Sequence, residues 1–190
     1  MTGRVRFQYA DPSNDFMSLK RKYLILDLDE SLVHTSSQGT KKHDLMLEVL
    51  LTTPQLYYCY KRPYVDYFLK KCTEWFNVFI FTASVPEYAD PVIDFLDPNH
   101  LIQKRFYRDS CSLVNGTYVK DLKCLDIDLS QVIFIDNFEG SFALQQENAI
   151  PVSTFHFDAD DDQLLTILPL LDALRWVYDV RNVLGLRLCK

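Results

Sequence analysis

Three short apolar runs, at residues 23–26, 78–81 and 132–135, each stop abruptly at a polar residue: Asp27, Thr82 and Asp136. A strand with one wet face alternates apolar and polar side chains. These runs do not alternate, so both faces of each strand must be buried, as in a parallel sheet covered by helices. Helical patterns lie between them at 64–72 and at 86–95, where Pro86 suits a first helical turn. The alternation predicts an α/β fold with a Rossmann-like central parallel sheet flanked by helices. Such sheets bind ligands at the carboxyl ends of their strands, where the three polar stops fall.

Two segments depart from this alternation. Residues 45–51 and 56–60 are strand-like around Thr52, Thr53, Pro54 and Gln55, and residues 111–114 and 117–119 flank Asn115-Gly116, a strong hairpin dipeptide. Both predict small antiparallel insertions. After Asp160, Asp161 and Asp162, placed for a helix N-terminus, an apolar-periodic stretch runs from Leu164 to about Leu184, with Pro169 expected to break or kink it. Residues 1–20 lack periodicity and read as an arm. Residues 21–190 read as a single domain.

The 190 residues carry 26 acidic and 20 basic side chains, a net charge of −6, which argues against a general nucleic-acid binder. The short basic runs Lys20-Arg21-Lys22 and Lys61-Arg62 read as solvated surface. Five cysteines without a CxxC pair suggest neither a disulfide framework nor a zinc site, and point to a reducing, intracellular compartment. No apolar segment suggests a signal peptide or a membrane span.

The chemistry gathers at the strand ends. Asp27 and Asp29, two residues apart just past a strand, can converge on one phosphate and one metal while doing different jobs. Alone, such a pair in an acidic chain is far more often a solvated turn. It is followed in order by Thr82 after FIF, Lys120 in YVKDL, and Asp136-Asn137 after VIFI. A phosphate ester is ringed by negative charge, so an aspartate can attack it only where cations neutralise the repulsion. A hard, oxygen-liganded ion such as Mg²⁺ suits that need.

The ordered set resembles the four motifs of the haloacid dehalogenase superfamily. DLDESLVHT, KRPYVDYFL, FTASVPEYADPV, RDSC, YVKDL and IDN resemble one branch more closely: the protein serine/threonine phosphatases that act on the RNA polymerase II C-terminal domain, together with Dullard-type phosphatases of the nuclear envelope. The ending ILPLLDALRWVYDVRNVL looks more like the Dullard type. The resemblance implies Asp27 as nucleophile and metal ligand, Asp29 as general acid and base and a ligand through its carbonyl, and Asp136 and Asn137 as further Mg²⁺ ligands. It also implies that Thr82 and Lys120 hold the phosphoryl group, and that Ser31 and Arg108 lie near the substrate. Ser31 stands where the family usually has Thr. Phe138 stands where Ser is common, which removes a hydroxyl beside the metal site. His34 is expected to make a loop-supporting hydrogen bond rather than to ligate metal.

The 55 residues from Asp27 to Thr82 must already hold a hairpin, a helix and a strand, leaving no room for a large cap. An open cleft favours a phosphoprotein substrate. Tyr57, Tyr58 and Tyr60 could wall a groove for an extended Pro-containing phosphopeptide, with Tyr88 beside it, or simply pack as alternate strand residues. The resemblance further implies work in the nucleus or cytoplasm, or at the nuclear envelope and endoplasmic reticulum with a membrane-bound regulatory partner. A small-metabolite phosphatase and a non-catalytic phosphopeptide-binding scaffold are the competing readings.

Overall fold

A computed structural model describes residues 21–39, 42–50 and 53–188, so the arm expected at 1–20 lies outside the described residues. The chain folds in the order β1 (Tyr23–Leu26), β2 (Val33–Ser36), β3 (Leu45–Leu50), β4 (Pro54–Lys61), α1 (Val65–Trp75), β5 (Asn77–Phe81) and α2 (Pro86–Leu96). There follow β6 (Lys104–Phe106), β7 (Ser112–Val114), β8 (Thr117–Val119), β9 (Val132–Asp136), β10 (Ala149–Pro151), α3 (Gln163–Thr166), α4 (Leu168–Leu174) and α5 (Arg181–Leu184).

The three apolar runs are β1, β5 and β9. They form the middle of a five-stranded parallel sheet of order β10-β9-β1-β5-β6. Successive side chains of a strand point to opposite faces, and both faces here are dry. Leu24, Leu26, Val78, Ile80, Ile133 and Ile135 pack in one core with α1, α2 and the C-terminal helices. Ile25, Phe79, Phe81, Val132 and Phe134 pack in a second core with Leu122, Leu125 and Phe142. This double burial is why the runs are continuously apolar.

The sheet grows from β1 in both directions, so the carboxyl end of β1 sits at the switch point where the chain's connections diverge. Register brings the polar stops level. Leu26 pairs with both Ile80 and Ile135, and the Asp27 amide donates to the Ile135 carbonyl at 2.9 Å. Asp27, Thr82 and Asp136 therefore meet on one rim.

Both expected insertions form. β2, β4 and β3 make a three-stranded antiparallel sheet between β1 and α1, and β7 pairs with β8 across Asn115-Gly116. Both turn residues are left-handed, with φ of 51° and 82°, the conformation that glycine adopts without strain. Among the described residues no separate cap domain covers the rim, and no helix is long and apolar enough to cross a membrane.

The C-terminal stretch breaks at Pro169 as expected, Ile167 separating α3 from α4 and Pro169 lying in the first turn of α4, but it breaks a second time over residues 175–180, leaving three short helices. Leu164, Leu168, Leu171, Leu174, Val180 and Leu184 stay buried throughout, because short segments can each turn an apolar side onto the curved core. Contrary to expectation, the basic runs are not uniformly solvated. Lys22 and Arg62 are 2% and 1% exposed, the ammonium of Lys22 donating to the Arg175 carbonyl and Arg62 serving the site below.

Candidate active site

The site is built on the loop after β1. Asp27 is buried at the strand end, and its two carboxylate oxygens have separate partners. Lys120 Nζ donates to Oδ1 at 2.5 Å, and the hydroxyl of Ser31 donates to Oδ2 at 2.7 Å. Lys120 also reaches Asp136 Oδ2 at 2.6 Å, so one buried ammonium bridges two strand ends. It arrives there because it follows β8 directly and its amide donates to the Ser141 carbonyl. Burial alone would push its pKa down, but the facing carboxylates of Asp27 and Asp136 outweigh that and hold the lysine charged.

One ammonium does not balance this many carboxylates. Burial, and then the Asp27 charge, raise the Asp136 pKa to about 6 despite Lys120 and the amide of Phe138. Asn137 adds a neutral oxygen: its amide nitrogen donates to Thr154 Oγ1 at 3.2 Å, leaving Oδ1 3.2 Å from the Ser31 hydroxyl that also serves Asp27. Asp27, Asp136 and Asn137 thus offer oxygen donors only, with excess negative charge. That set fits a hard divalent cation.

Asp29 is held apart from this cluster. Its Oδ1 accepts from Tyr88 at 2.5 Å, and its Oδ2 accepts from Ser84 at 2.7 Å and Thr82 at 3.3 Å. Burial pushes its pKa above the usual carboxylate range, the bonds from Tyr88 and Ser84 pull it back, and the Asp27 charge adds to the rise. Two carboxylates two residues apart thereby acquire different surroundings, the condition for giving them different tasks. A cleft of about 340 Å³ opens in front of Asp29, lined also by Thr35, Val49, Tyr57, Val85, Tyr88 and Arg108.

The predicted residues divide by placement. Asp27, Thr82, Lys120 and Asp136 are buried together, with Asp29 and Asn137 half-buried beside them. Ser31, expected near the substrate, is 1% exposed and faces Asp27 and Asn137 instead, so its geometry is that of a positioning residue. Tyr88 likewise spends its hydroxyl on Asp29 and Thr35, while its ring lines the cleft. Arg108 lies at the cleft, tied by Nε to the Ala83 carbonyl at 2.7 Å. Of the three clustered tyrosines only Tyr57 lines the cleft, edge-on to Tyr88 at 5.6 Å. Tyr58 and Tyr60 are neighbours of other groups: Tyr58 meets His43, and Tyr60 is buried against Phe157. The side chain of Phe138 is 54% exposed and lies over Gly140, where any Cβ would meet its ring at 2.5 Å. Its backbone amide holds Asp136, a bond that any residue other than proline could make.

Sequence reasoning missed Arg62. Its guanidinium donates to both Asp161 oxygens at 2.8 and 2.7 Å, to Ser153 Oγ at 2.7 Å and to the Ser31 carbonyl at 3.1 Å. It therefore braces the catalytic loop from behind. Ser84 and Thr154 were missed as well: short hydroxyl residues carry no signal until the fold turns them toward a carboxylate or an amide.

The Tyr88 bond makes a definite prediction. Tyr88→Phe keeps the ring but removes a hydrogen bond to a charged group worth about 1.5–3 kcal/mol. Turnover of a phosphate ester should fall about tenfold or more and Tm should drop by on the order of 5 °C, as measured by steady-state kinetics beside thermal unfolding.

A family model described as NLI interacting factor-like phosphatase matches residues 22–181. The chain is 46% identical over 176 residues to Nuclear envelope morphology protein 1 of Schizosaccharomyces pombe, covering 90% of this chain and 37% of that protein. It is 40% identical over 182 residues to CTD nuclear envelope phosphatase 1 of Xenopus tropicalis, covering 90% of this chain and 75% of that one. The solved structure of Fcp1, an essential RNA polymerase II CTD phosphatase, superposes with a TM-score of 0.63 at 22% identity, over 84% of this chain and 52% of that one, a likeness of fold. With a matching model that spans nearly all of the described residues, the chain belongs to the NLI interacting factor-like phosphatase family.

Proposed function

We propose that this chain is a Mg²⁺-dependent protein serine/threonine phosphatase working through an aspartyl-phosphate on Asp27. The reading rests chiefly on one arrangement: Asp27 bridged by Lys120 to Asp136, beside a second carboxylate, Asp29, held by different donors at the cleft.

An Asp27 oxygen attacks phosphorus and the bond from phosphorus to the serine or threonine oxygen breaks. Asp29 gives its proton to that departing oxygen. Asp29, now a carboxylate, takes a proton from the water that attacks the phosphorus of the aspartyl-phosphate. The bond to Asp27 breaks, phosphate leaves, and Asp27 and Asp29 return to their starting states. Lys120 neutralises charge on the transferring group and Thr82 offers it a hydroxyl donor. Asp27, Asp136, Asn137 and the carbonyl of Asp29 would hold Mg²⁺, which when bound supplies the further positive charge that lets an anion approach a phosphate ester.

Tyr57 and Tyr88 set an aromatic wall beside Asp29, which suits an extended, Pro-containing phosphopeptide. Likeness to relatives named for the nuclear envelope supports work at the nuclear envelope or endoplasmic reticulum, and a membrane-bound regulatory partner belongs to the same proposal. The chain spans 37% of the Schizosaccharomyces pombe relative and 75% of the Xenopus tropicalis one.

The test is turnover of phosphoserine peptides and of para-nitrophenyl phosphate with and without Mg²⁺, with mass-spectrometric trapping of a phosphoryl group on Asp27. Tight phosphopeptide binding without a phosphoryl-enzyme would sink the catalytic reading in favour of a scaffold. Tyr57→Ala separates substrate classes. It should lower kcat/KM for a phosphopeptide about tenfold, roughly 1.4 kcal/mol of transition-state binding, and leave para-nitrophenyl phosphate unchanged. Equal losses on both substrates would remove Tyr57 from peptide recognition.

A further inference from the structure

On the loop that carries Asp29, where Glu30 also lines the cleft, two imidazoles converge on one carboxylate. His34 Nδ1 lies 2.7 Å from both oxygens of Glu30, and His156 Nδ1 lies 2.9 Å from Oε2. The three side chains can place one ligand atom each within 4.8 Å of one another. We propose that Glu30, His34 and His156 form a second metal site, one that takes a zinc-type divalent cation.

The chemistry of the donors separates it from the catalytic cluster. Two imidazole nitrogens with one carboxylate are the donors that Zn²⁺ prefers, whereas the oxygen-only cluster at Asp27 suits Mg²⁺. The spacing is close to what a metal needs. Ligands about 2.0–2.1 Å from a tetrahedral ion stand about 3.3 Å apart, so each Nδ1 must draw back from Glu30 by about half an ångström, while the three donor atoms already lie within 4.8 Å of one another. Three protein ligands leave the fourth position for water.

The site also has a rigid side and an open side. Side-chain exposure rises from 14% at His34 through 26% at Glu30 to 63% at His156, which gives an ion a path from solvent. On the inner side Phe157 packs edge-on against His34 at 4.2 Å and against Tyr60 at 4.5 Å, fixing the imidazole ring. The two segments that supply the ligands are already joined, the Phe155 amide donating to the Glu30 carbonyl at 2.8 Å. An ion here would clamp residues 153–157 to the loop that carries Asp27 and Asp29.

Isothermal titration of the full chain with Zn²⁺, in excess Mg²⁺, tests this. One equivalent should bind and raise Tm as mass action requires. His156→Phe and His156→Gln should each weaken binding by about a hundredfold or more, beyond the 10–100-fold typical of losing a mere outer partner, and abolish the Tm increase. Asp27→Asn should leave Zn²⁺ affinity unchanged. Absence of binding, wild-type affinity in either His156 variant, or loss of binding in Asp27→Asn would overturn the proposal. Cooperative thermal unfolding of the His156 variants without zinc, at a wild-type-like Tm, shows that they fold. The site does not depend on the phosphatase reading, and either can fail alone.

Discussion

Asp27→Asn should lower kcat by at least about four orders of magnitude, the scale on which removal of a nucleophile is felt, while the protein stays folded. The expectation of an intact fold comes from the charges. Asp27, Asp29 and Asp136 gather around one ammonium, and Asp27 is one of the causes raising the pKa of both other carboxylates. Its neutral isostere relieves that repulsion, and Lys120 keeps its contact with Asp136 at 2.6 Å. In a chelator the variant should therefore melt at or above the wild-type temperature. Mg²⁺ should raise Tm of the wild type more than that of the variant, because a charged ligand has been lost. Kinetics with para-nitrophenyl phosphate and thermal unfolding with and without Mg²⁺ measure both halves. Turnover retained in Asp27→Asn would remove Asp27 as nucleophile, and a collapsed fold would contradict the charge argument.

Asp161→Asn should destabilise the domain by about 3–5 kcal/mol, the usual loss when one partner of a buried ion pair is removed. For a domain of this size that is on the order of 10 °C in Tm. The Arg62 guanidinium has no exposed side-chain surface and cannot shed its proton, so without Asp161 it remains a buried, underbalanced cation. Arg62→Lys should also destabilise, because a single ammonium cannot reproduce the two-pronged contact with Asp161 together with Ser153 and the Ser31 carbonyl. The pH dependence carries a sign. The hydrogen bond from Arg62 holds the Asp161 pKa below the usual carboxylate range. Its stabilisation is fully present above the ordinary carboxylate pKa and is lost as pH falls through the lowered value. Wild type and Asp161→Asn should therefore differ most near neutrality and converge in acid, as followed by urea unfolding at a series of pH values. A constant difference would assign the loss to packing rather than charge. Because Arg62 holds the carbonyl of Ser31, turnover should fall along with stability.

Much of the site was legible because parallel strands announce themselves. A strand buried on both faces has to be apolar throughout, so the first polar residue marks its end, and in β1, β5 and β9 that residue belongs to the site or directly adjoins it. Lys120 was legible for a related reason. Asn115-Gly116 dictates a tight hairpin, which fixes where the residue after β8 emerges. Arg62 and Lys22 were not legible: a charged residue reads as surface until a partner such as Asp161, 99 positions away in the chain, comes within reach. The second break in the C-terminal stretch, over residues 175–180, was not legible for a complementary reason. An apolar period says which residues are buried but not how far one helix can follow a curved core.

The amino-acid sequence by itself determined the architecture and the chemical repertoire. Local burial patterns and turn chemistry depend on near neighbours, and they specify the parallel sheet, the hairpins and the order in which Asp27, Asp29, Thr82, Lys120, Asp136 and Asn137 arrive. Only the tertiary structure decided what each group faces. It gave the Ser31 hydroxyl to Asp27 and the Tyr88 hydroxyl to Asp29 while leaving the Tyr88 ring in the cleft, chose Tyr57 over Tyr58 and Tyr60 for that cleft, and brought His156 to Glu30 and His34. Those outcomes depend on side-chain direction and on contacts between distant segments, which are set when the core closes and are written in no single stretch of the chain.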